Sequence, residues 1–174
     1  MRRLPNSFFN RKTLRVARDL IGKYLVRKID GKVLCEKIVE TEAYVGPHDL
    51  ACHSSRGKTA RNEAMFREAG TIYVYFTYGM HWMLNIVTEE ENYPAAILIR
   101  GTEHVSGPAR LTKKFKIDEK LNGKKLGKKT GLWIEEPTSQ ELRRAKGKIS
   151  RTPRIGVSYA GEWAGKPYRF ILKG

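Results

Sequence analysis

Two cysteines in 174 residues, Cys35 and Cys52, are too few for a disulfide-stapled fold and suit a reducing compartment. Acidic residues are also scarce. Eighteen Asp and Glu stand against 34 Lys and Arg, a formal charge of +16. The opening stretch, MRRLPNSFFNRKTLRVARDL, has no apolar run of signal-peptide length, so the expectation is a protein that is not secreted. Only residues 71–88, TIYVYFTYGMHWMLNIVT, run for 18 positions without a formal charge, close to the minimum for a membrane span. Three Tyr, three Thr, His81, Asn85 and a central Gly79 make that stretch a poor lipid-facing helix. Its Thr/Tyr alternation with Ile, Val and Phe has a period of two, that of a strand. No membrane partner is expected. Repeats and low-complexity linkers are absent, as are a P-loop, a G-x-S-x-G elbow and the H-x-E…P-C-x-x-C pattern of zinc deaminases.

What is abundant is positive charge on a chain able to fold. Hydrophobic residues make up 40% and aromatics 10%, too much apolar material for a disordered basic tail. The length suits a single domain over residues 1–174, large enough for a core without staples. The charge is spread, +7 over residues 1–87 and +9 over 88–174, with nine basic and two acidic residues between Arg110 and Thr130. A small, folded, strongly basic protein most often meets nucleic acid, because neutralising phosphates releases counterions. A merely soluble or heat-adapted surface is the blander explanation.

Local signals predict an α+β fold on a mainly antiparallel sheet with flanking helices. Thr13 is expected to cap a helix carrying Leu14, Ala17, Leu20 and Ile21, stopped by Gly22. Asp30-Gly31 between 24–29 and 33–44 is a strong hairpin signal. Residues 45–58 read as a loop and Thr59 as the start of a helix ended by Gly70. Strands are expected over 71–78, 81–88, 95–100 and 131–135, a short helix over 138–146, and strands broken by glycines over 154–172.

Chemistry concentrates between residues 38 and 100. Glu40 and Glu42 lie two apart and so share a face of an extended strand. A carboxylate at a partly desolvated aromatic strand end can act as a general base; a strand-end ion-pair partner is the plainer use. Tyr73, Tyr75, Tyr78 and Trp82 crowd one hairpin, either as core packing or as a platform for bases. Tyr78 and Met80 flank the Gly79 turn, an odd place for bulky groups, and a wedge entering a base stack would account for them. Asn85 in an apolar strand needs a partner or a specificity role. His48, Cys52 and His53 with Cys35 match no standard metal-site spacing, and no metal or other cofactor is expected.

The blocks IVETEAYVGPHDLACHSSRGKTARNEAMF, GTIYVYFTYGMHWMLNIV, AILIR, SGPARL and RIGVSYAGEWAGKPYRF resemble, in order and over nearly the whole chain, the alkyladenine (3-methyladenine) DNA glycosylase family. The resemblance implies a monofunctional base-excision repair enzyme, a monomer, that flips alkylated purines out of double-stranded DNA. It would hydrolyse the N-glycosidic bond and leave an abasic site, with deaminated and etheno purines as further substrates. On this resemblance Glu42 is the general base that activates water, and Arg100 positions that water and the adjoining phosphate. Tyr44 and His53 sandwich the extruded base, and Tyr75 walls the pocket. Asn85 disfavours the 2-amino group of guanine. Tyr78, with Met80, forms a protruding hairpin tip that intercalates in the duplex. Such an enzyme would work in the cytoplasm on the nucleoid of a prokaryote, or in a eukaryotic nucleus.

Two departures from the family pattern stand out. Only GTEHV separates the LIR strand from SGP, where family members carry a longer segment. After SGP the chain reads ARLTKKFKI, with Arg110 for the usual Lys and with Lys113, Lys114 and Lys116 in place of a more apolar helix. A non-catalytic nucleic-acid-binding protein and a metal-dependent nuclease are the rival classes.

Overall fold

The computed structural model describes residues 2–141 and 149–173. Ten strands, all paired antiparallel, are found among them. The main path runs β1 (Arg2–Arg3), β8 (Leu132–Glu136), β2 (Tyr24–Ile29), β3 (Lys32–Tyr44), β6 (Ala95–Thr102), β5 (His81–Thr88) and β4 (Ile72–Thr77). A short β7 (Val105–Ser106) pairs with β6, and β10 (Arg169–Leu172) bridges β3 and β9 (Ile149–Thr152). Three short α-helices flank the sheet: α1 (Asn6–Phe9), α2 (Thr13–Leu20) and α3 (Pro108–Lys114). The architecture is thus the expected α+β arrangement on an antiparallel sheet.

The 13-residue strand β3 organises the molecule. The Asp30-Gly31 turn that precedes it has φ values of 50° and 74°, the left-handed pair that a tight hairpin needs. One edge of β3 pairs with β2 from Lys32 to Lys37 and then with β10 from Glu40 to Glu42, while the other edge pairs with β6 from Ile38 to Tyr44. Because side chains alternate across a strand, Thr41 turns toward α2, where its hydroxyl donates to the Ala17 carbonyl at 2.9 Å. Glu40, Glu42 and Tyr44 take the opposite face. The core lies on the Thr41 side, built from Val16, Ala17 and Leu20 of α2 against Ile38, Ile72, Leu84, Ile86, Ile97 and Ile99 of the sheet.

Several expectations need correction. Thr13 is the first helical residue rather than the cap. Glu89, 76 residues away, takes the capping role by accepting from the Thr13 N–H at 3.2 Å and its hydroxyl at 2.9 Å. The helix expected from Thr59 to Gly70 is only a 3₁₀ turn over Glu63–Phe66. Asn62 accounts for this, since its side chain accepts from Thr59 N and donates to the carbonyls of His53 and Gly57, holding the backbone in a turn. Residues 154–172 form 3₁₀ turns over Ser158–Gly165 before the single strand β10. Most of the helix expected over 138–146 lies outside the described residues.

Candidate active site

Glu42 sits in the middle of three paired strands, opposite Leu98 of β6 and Arg169 of β10, and its side chain is 0% exposed. Both carboxylate oxygens are engaged. Oε1 accepts from the Ile155 N–H at 2.8 Å, and Oε2 accepts from the Tyr44 hydroxyl at 2.8 Å. The Arg100 Nε lies 3.5 Å from Oε1. Burial pushes the Glu42 carboxyl above its ordinary pKa, against the opposing pull of Arg100, the Ile155 N–H and the Tyr44 hydroxyl. The result is a carboxylate held in place and made more basic than one in water.

Arg100 reaches this position through an irregularity in the ladder. The β3–β6 register shifts on both sides of Glu40, so that Thr41 faces Ile99 and Glu40 faces Gly101, leaving Arg100 between them. Such a bulge re-aims a side chain. The Arg100 Nε donates to Glu40 Oε1 at 2.8 Å, and Arg169 Nε donates to the same oxygen at 2.7 Å. Gly101 suits the close approach of the strands here: a Cβ would stand 3.1 Å from the Val105 carbonyl, which would have to shift by a few tenths of an ångström. Glu40 and Glu42 therefore share a face, as their spacing predicts, and divide one arginine between them.

These groups underlie an open cleft of about 410 Å³ whose walls include Tyr44, His53, Arg61, Tyr75, Tyr78, Arg100 and Ile155. The volume falls in the ordinary range for small-molecule sites. His53 and Tyr75 meet edge to face with ring centroids 4.4 Å apart. Tyr73, not singled out as a site residue, orients the imidazole through its hydroxyl, 2.9 Å from His53 Nδ1. Burial, with Arg61 nearby, lowers the His53 pKa, so the ring is neutral at neutral pH. Burial likewise holds the Tyr44 hydroxyl far above its ordinary pKa and the Tyr75 hydroxyl up to about 12; both stay protonated. Behind the rings, Tyr44, His53, Tyr73, Tyr75 and Asn85 line a recess of about 20 Å³, room for a substituent rather than a ring. Asn85 is buried at its edge, with Nδ2 donating to the carbonyls of Tyr73 and Met83 at 3.3 and 3.4 Å.

One anchor escaped sequence reasoning altogether. Arg154 and Asp49 form a bidentate pair at 2.6 and 2.9 Å with both side chains 0% exposed. The guanidinium also donates to the Ala43 and Trp163 carbonyls and lies 4.8 Å from the Tyr44 ring centroid. Asp49 in turn accepts from the Val45 and Ala51 N–H groups, tying the 45–58 loop to the sheet. A separation of 105 residues leaves no local signal for this pair.

The hairpin tip stands apart from these contacts. Tyr78 is 82% exposed and Met80 65% exposed. Tyr78 and Gly79 have φ values of 52° and 65°, and for tyrosine that conformation is uncommon. The possible metal-binding residues do not converge: His48 packs on Trp163, Cys35 is exposed and Cys52 is buried beside Ser54. Among the described residues no three His, Cys, Asp or Glu side chains gather in one place, and no helix is long and apolar enough to cross a membrane.

A family sequence model described as methylpurine-DNA glycosylase (MPG) matches residues 7–107 and 101–174. The chain belongs to the methylpurine-DNA glycosylase family. It is 45% identical to a Legionella pneumophila (strain Corby) protein over 99% of this chain and 96% of that one. A Methanocella arvoryzae protein is 43% identical over 98% and 92%. A Carboxydothermus hydrogenoformans protein is 45% identical over 98% and 95%. All three carry the name "Putative 3-methyladenine DNA glycosylase".

Proposed function

We propose that this member of the methylpurine-DNA glycosylase family is a DNA repair enzyme that excises alkylated purines from double-stranded DNA by hydrolysis. The observation that carries the mechanism is the Glu42 carboxylate, buried, raised in pKa and bonded to Tyr44 and Ile155, two residues that, with Arg100, line the aromatic cleft above it. Each carboxylate oxygen has two lone pairs, so Glu42 can hold its two donors and still accept from a water. In the reaction that water attacks the sugar C1′ and gives its proton to Glu42. The C1′–N bond breaks and its electron pair leaves with the base. A purine alkylated at N3 or N7 carries a positive charge, departs neutral and needs no general acid. One base with an oriented water then suffices.

The other residues have assignable parts. The extruded purine stacks between Tyr44 and His53 against Tyr75, and a neutral imidazole does not repel a cationic ring. Arg100, fixed by Glu40, steadies the water and the adjoining phosphate. Asn85, at the edge of the small recess, disfavours the 2-amino group of normal guanine. Tyr78 and Met80 fill the gap left in the duplex, which offsets part of the cost of unstacking. No lysine is among the described residues that line the cleft, which supports hydrolysis over a Schiff-base lyase route. Deaminated and etheno purines would be slower substrates, because their neutral bases leave less readily. The enzyme would act as a monomer, and a prokaryotic chromosome as its substrate is in line with the bacterial and archaeal relatives.

Base release from duplexes carrying 7-methylguanine, 3-methyladenine, hypoxanthine or ethenoadenine tests this reading. The expected result is free base in EDTA, with strand breaks appearing only after alkali and alkylated purines released fastest. Strand breaks without free base would indicate a nuclease. Lesion binding with no release would indicate a binding protein.

A further inference from the structure

The lysines that interrupt α3 have no part in the site described so far, and they are not equivalent. Lys114 forms an ion pair with Glu36, a carboxylate that Thr102 also bonds, and so serves the fold. Arg110 and Lys113, three apart on the helix and therefore on one face, are exposed, as is Lys116. Together they line a groove of about 420 Å³ whose other wall is Met80 and Trp82 of the β4–β5 hairpin. Among the described residues Lys116 has one ionic contact, 3.8 Å from Asp30, and both side chains are largely exposed. Asp118, the acidic residue of the groove, turns its carboxylate back onto the Lys120 N–H at 3.0 Å.

This basic wall is held firmly. Leu111 and Phe115 are buried beneath the helix, and the Thr112 hydroxyl donates to the Trp82 carbonyl at 2.9 Å. The buried Arg27 donates to the carbonyls of Phe115 and Lys116 at 3.1 and 3.3 Å, fixing the turn in which Lys116 takes a φ of 47°. Three cations are thus presented on a rigid support beside the exposed tip that carries Tyr78 and Met80. Held cations in a groove next to a wedge suit a chain of phosphates.

We infer that the groove between α3 and the β4–β5 hairpin is a binding track for the phosphodiester backbone of DNA, with Arg110, Lys113 and Lys116 each neutralising a phosphate beside the lesion. The inference rests on the proposed glycosylase reading for the placement of the lesion, and on the groove's own charge and shape for the contact. Because phosphates carry no sequence information, the track would grip damaged and undamaged duplexes alike and would leave the chemical step untouched.

The test is fluorescence anisotropy of an undamaged duplex, and of one bearing an abasic-site analogue, titrated with protein over a series of KCl concentrations. For the triple variant Arg110→Gln, Lys113→Gln, Lys116→Gln, the slope of log K against log[salt] should shrink by about 2–3, roughly 0.9 per lost phosphate. Affinity for both duplexes should fall by the same factor, and single-turnover release of 7-methylguanine at saturating protein should keep its wild-type rate. The charge-retaining variant Arg110→Lys, Lys113→Arg, Lys116→Arg should keep the wild-type slope. Lys12→Gln, at the far end of β5 where Lys12 pairs with Glu89, should also leave it unchanged. An unaltered slope in the triple variant, or a loss confined to the lesion duplex, overturns the track. Wild-type protein that binds with the expected slope but releases no base would overturn the glycosylase reading and leave the track standing.

Discussion

The floor of the cleft and the tip of the hairpin solve opposite problems within a few residues of each other in the sheet. At the floor every polar atom that matters is tied down: Glu42 by Tyr44 and Ile155, Arg100 by Glu40, and Tyr44 from behind by Arg154, which Asp49 holds in turn. At the tip, Tyr78 and Met80 project into solvent on a backbone that tyrosine adopts at a cost of about 1–2 kcal/mol. The floor is ordered before any substrate arrives, as a reacting centre requires. The tip carries a strained tyrosine backbone and bare apolar surface of the kind that marks an interaction site. Stability is therefore concentrated at one and forgone at the other.

Substitutions can break this contrast. Glu42→Gln has the largest expected effect, a loss of about 10²–10⁴ in the single-turnover rate of base release with lesion binding retained. Release at the wild-type rate would remove Glu42 from its role. Asp49→Asn should cost about 3–5 kcal/mol of folding stability in chemical denaturation, because it leaves the Arg154 charge buried beside a neutral partner. A cost below about 1 kcal/mol would mean that the pair does not anchor the loop. Tyr78→Gly should act in two directions at once. It should stabilise the fold by about 1 kcal/mol through relief of the left-handed strain, and it should weaken binding to lesion-bearing duplex by a few kcal/mol at most. Equal binding by variant and wild type would retire the wedge.

The smallest effects come from pH. Since the working form of Glu42 is ionised, the release rate should fall with acidity through a pKa above the usual glutamate value of about 4.3. A rate that stays flat down to that value would contradict the assignment. The sign for stability is the reverse of the usual carboxylate case. The folded-state pKa is raised, so Glu42 contributes stability below its unfolded pKa, and that contribution disappears as pH rises through the folded value. The melting temperature of Glu42→Gln relative to wild type should therefore improve from pH 4 to pH 8.

Much of the fold was readable from short-range patterns. The Asp30-Gly31 turn, the two-residue alternation of 72–77 and 81–88, and the spacing of Glu40 and Glu42 each depend on neighbours in the chain. Reading failed where a distant or competing side chain intervened. Asn62 bonding to three backbone groups converted an expected helix into a turn, and Glu89 supplied a cap that local sequence assigned to Thr13. In the candidate site, the shared face of Glu40 and Glu42 and the bulky groups at the hairpin tip were legible from the residues themselves, whereas the parts of Tyr44, His53, Tyr75 and Arg100 came only from the family resemblance. Asp49 and Arg154 were not legible, because they lie 105 residues apart, and the bond of Tyr73 to His53, 20 residues away, was equally hidden. The register shift that aims Arg100 leaves no mark in composition at all.

The way β10 and the segment before it complete the floor has a consequence for synthesis. Arg154, the Ile155 N–H and Arg169 all come from the last 21 positions of a 174-residue chain. During synthesis the carboxylate therefore acquires its full set of neighbours only after the chain beyond residue 154 has been made. Products that stop before residue 154 would keep Glu42 and Tyr44 but lack the Ile155 N–H and the two arginines, Arg154 and Arg169, that hold the floor in place.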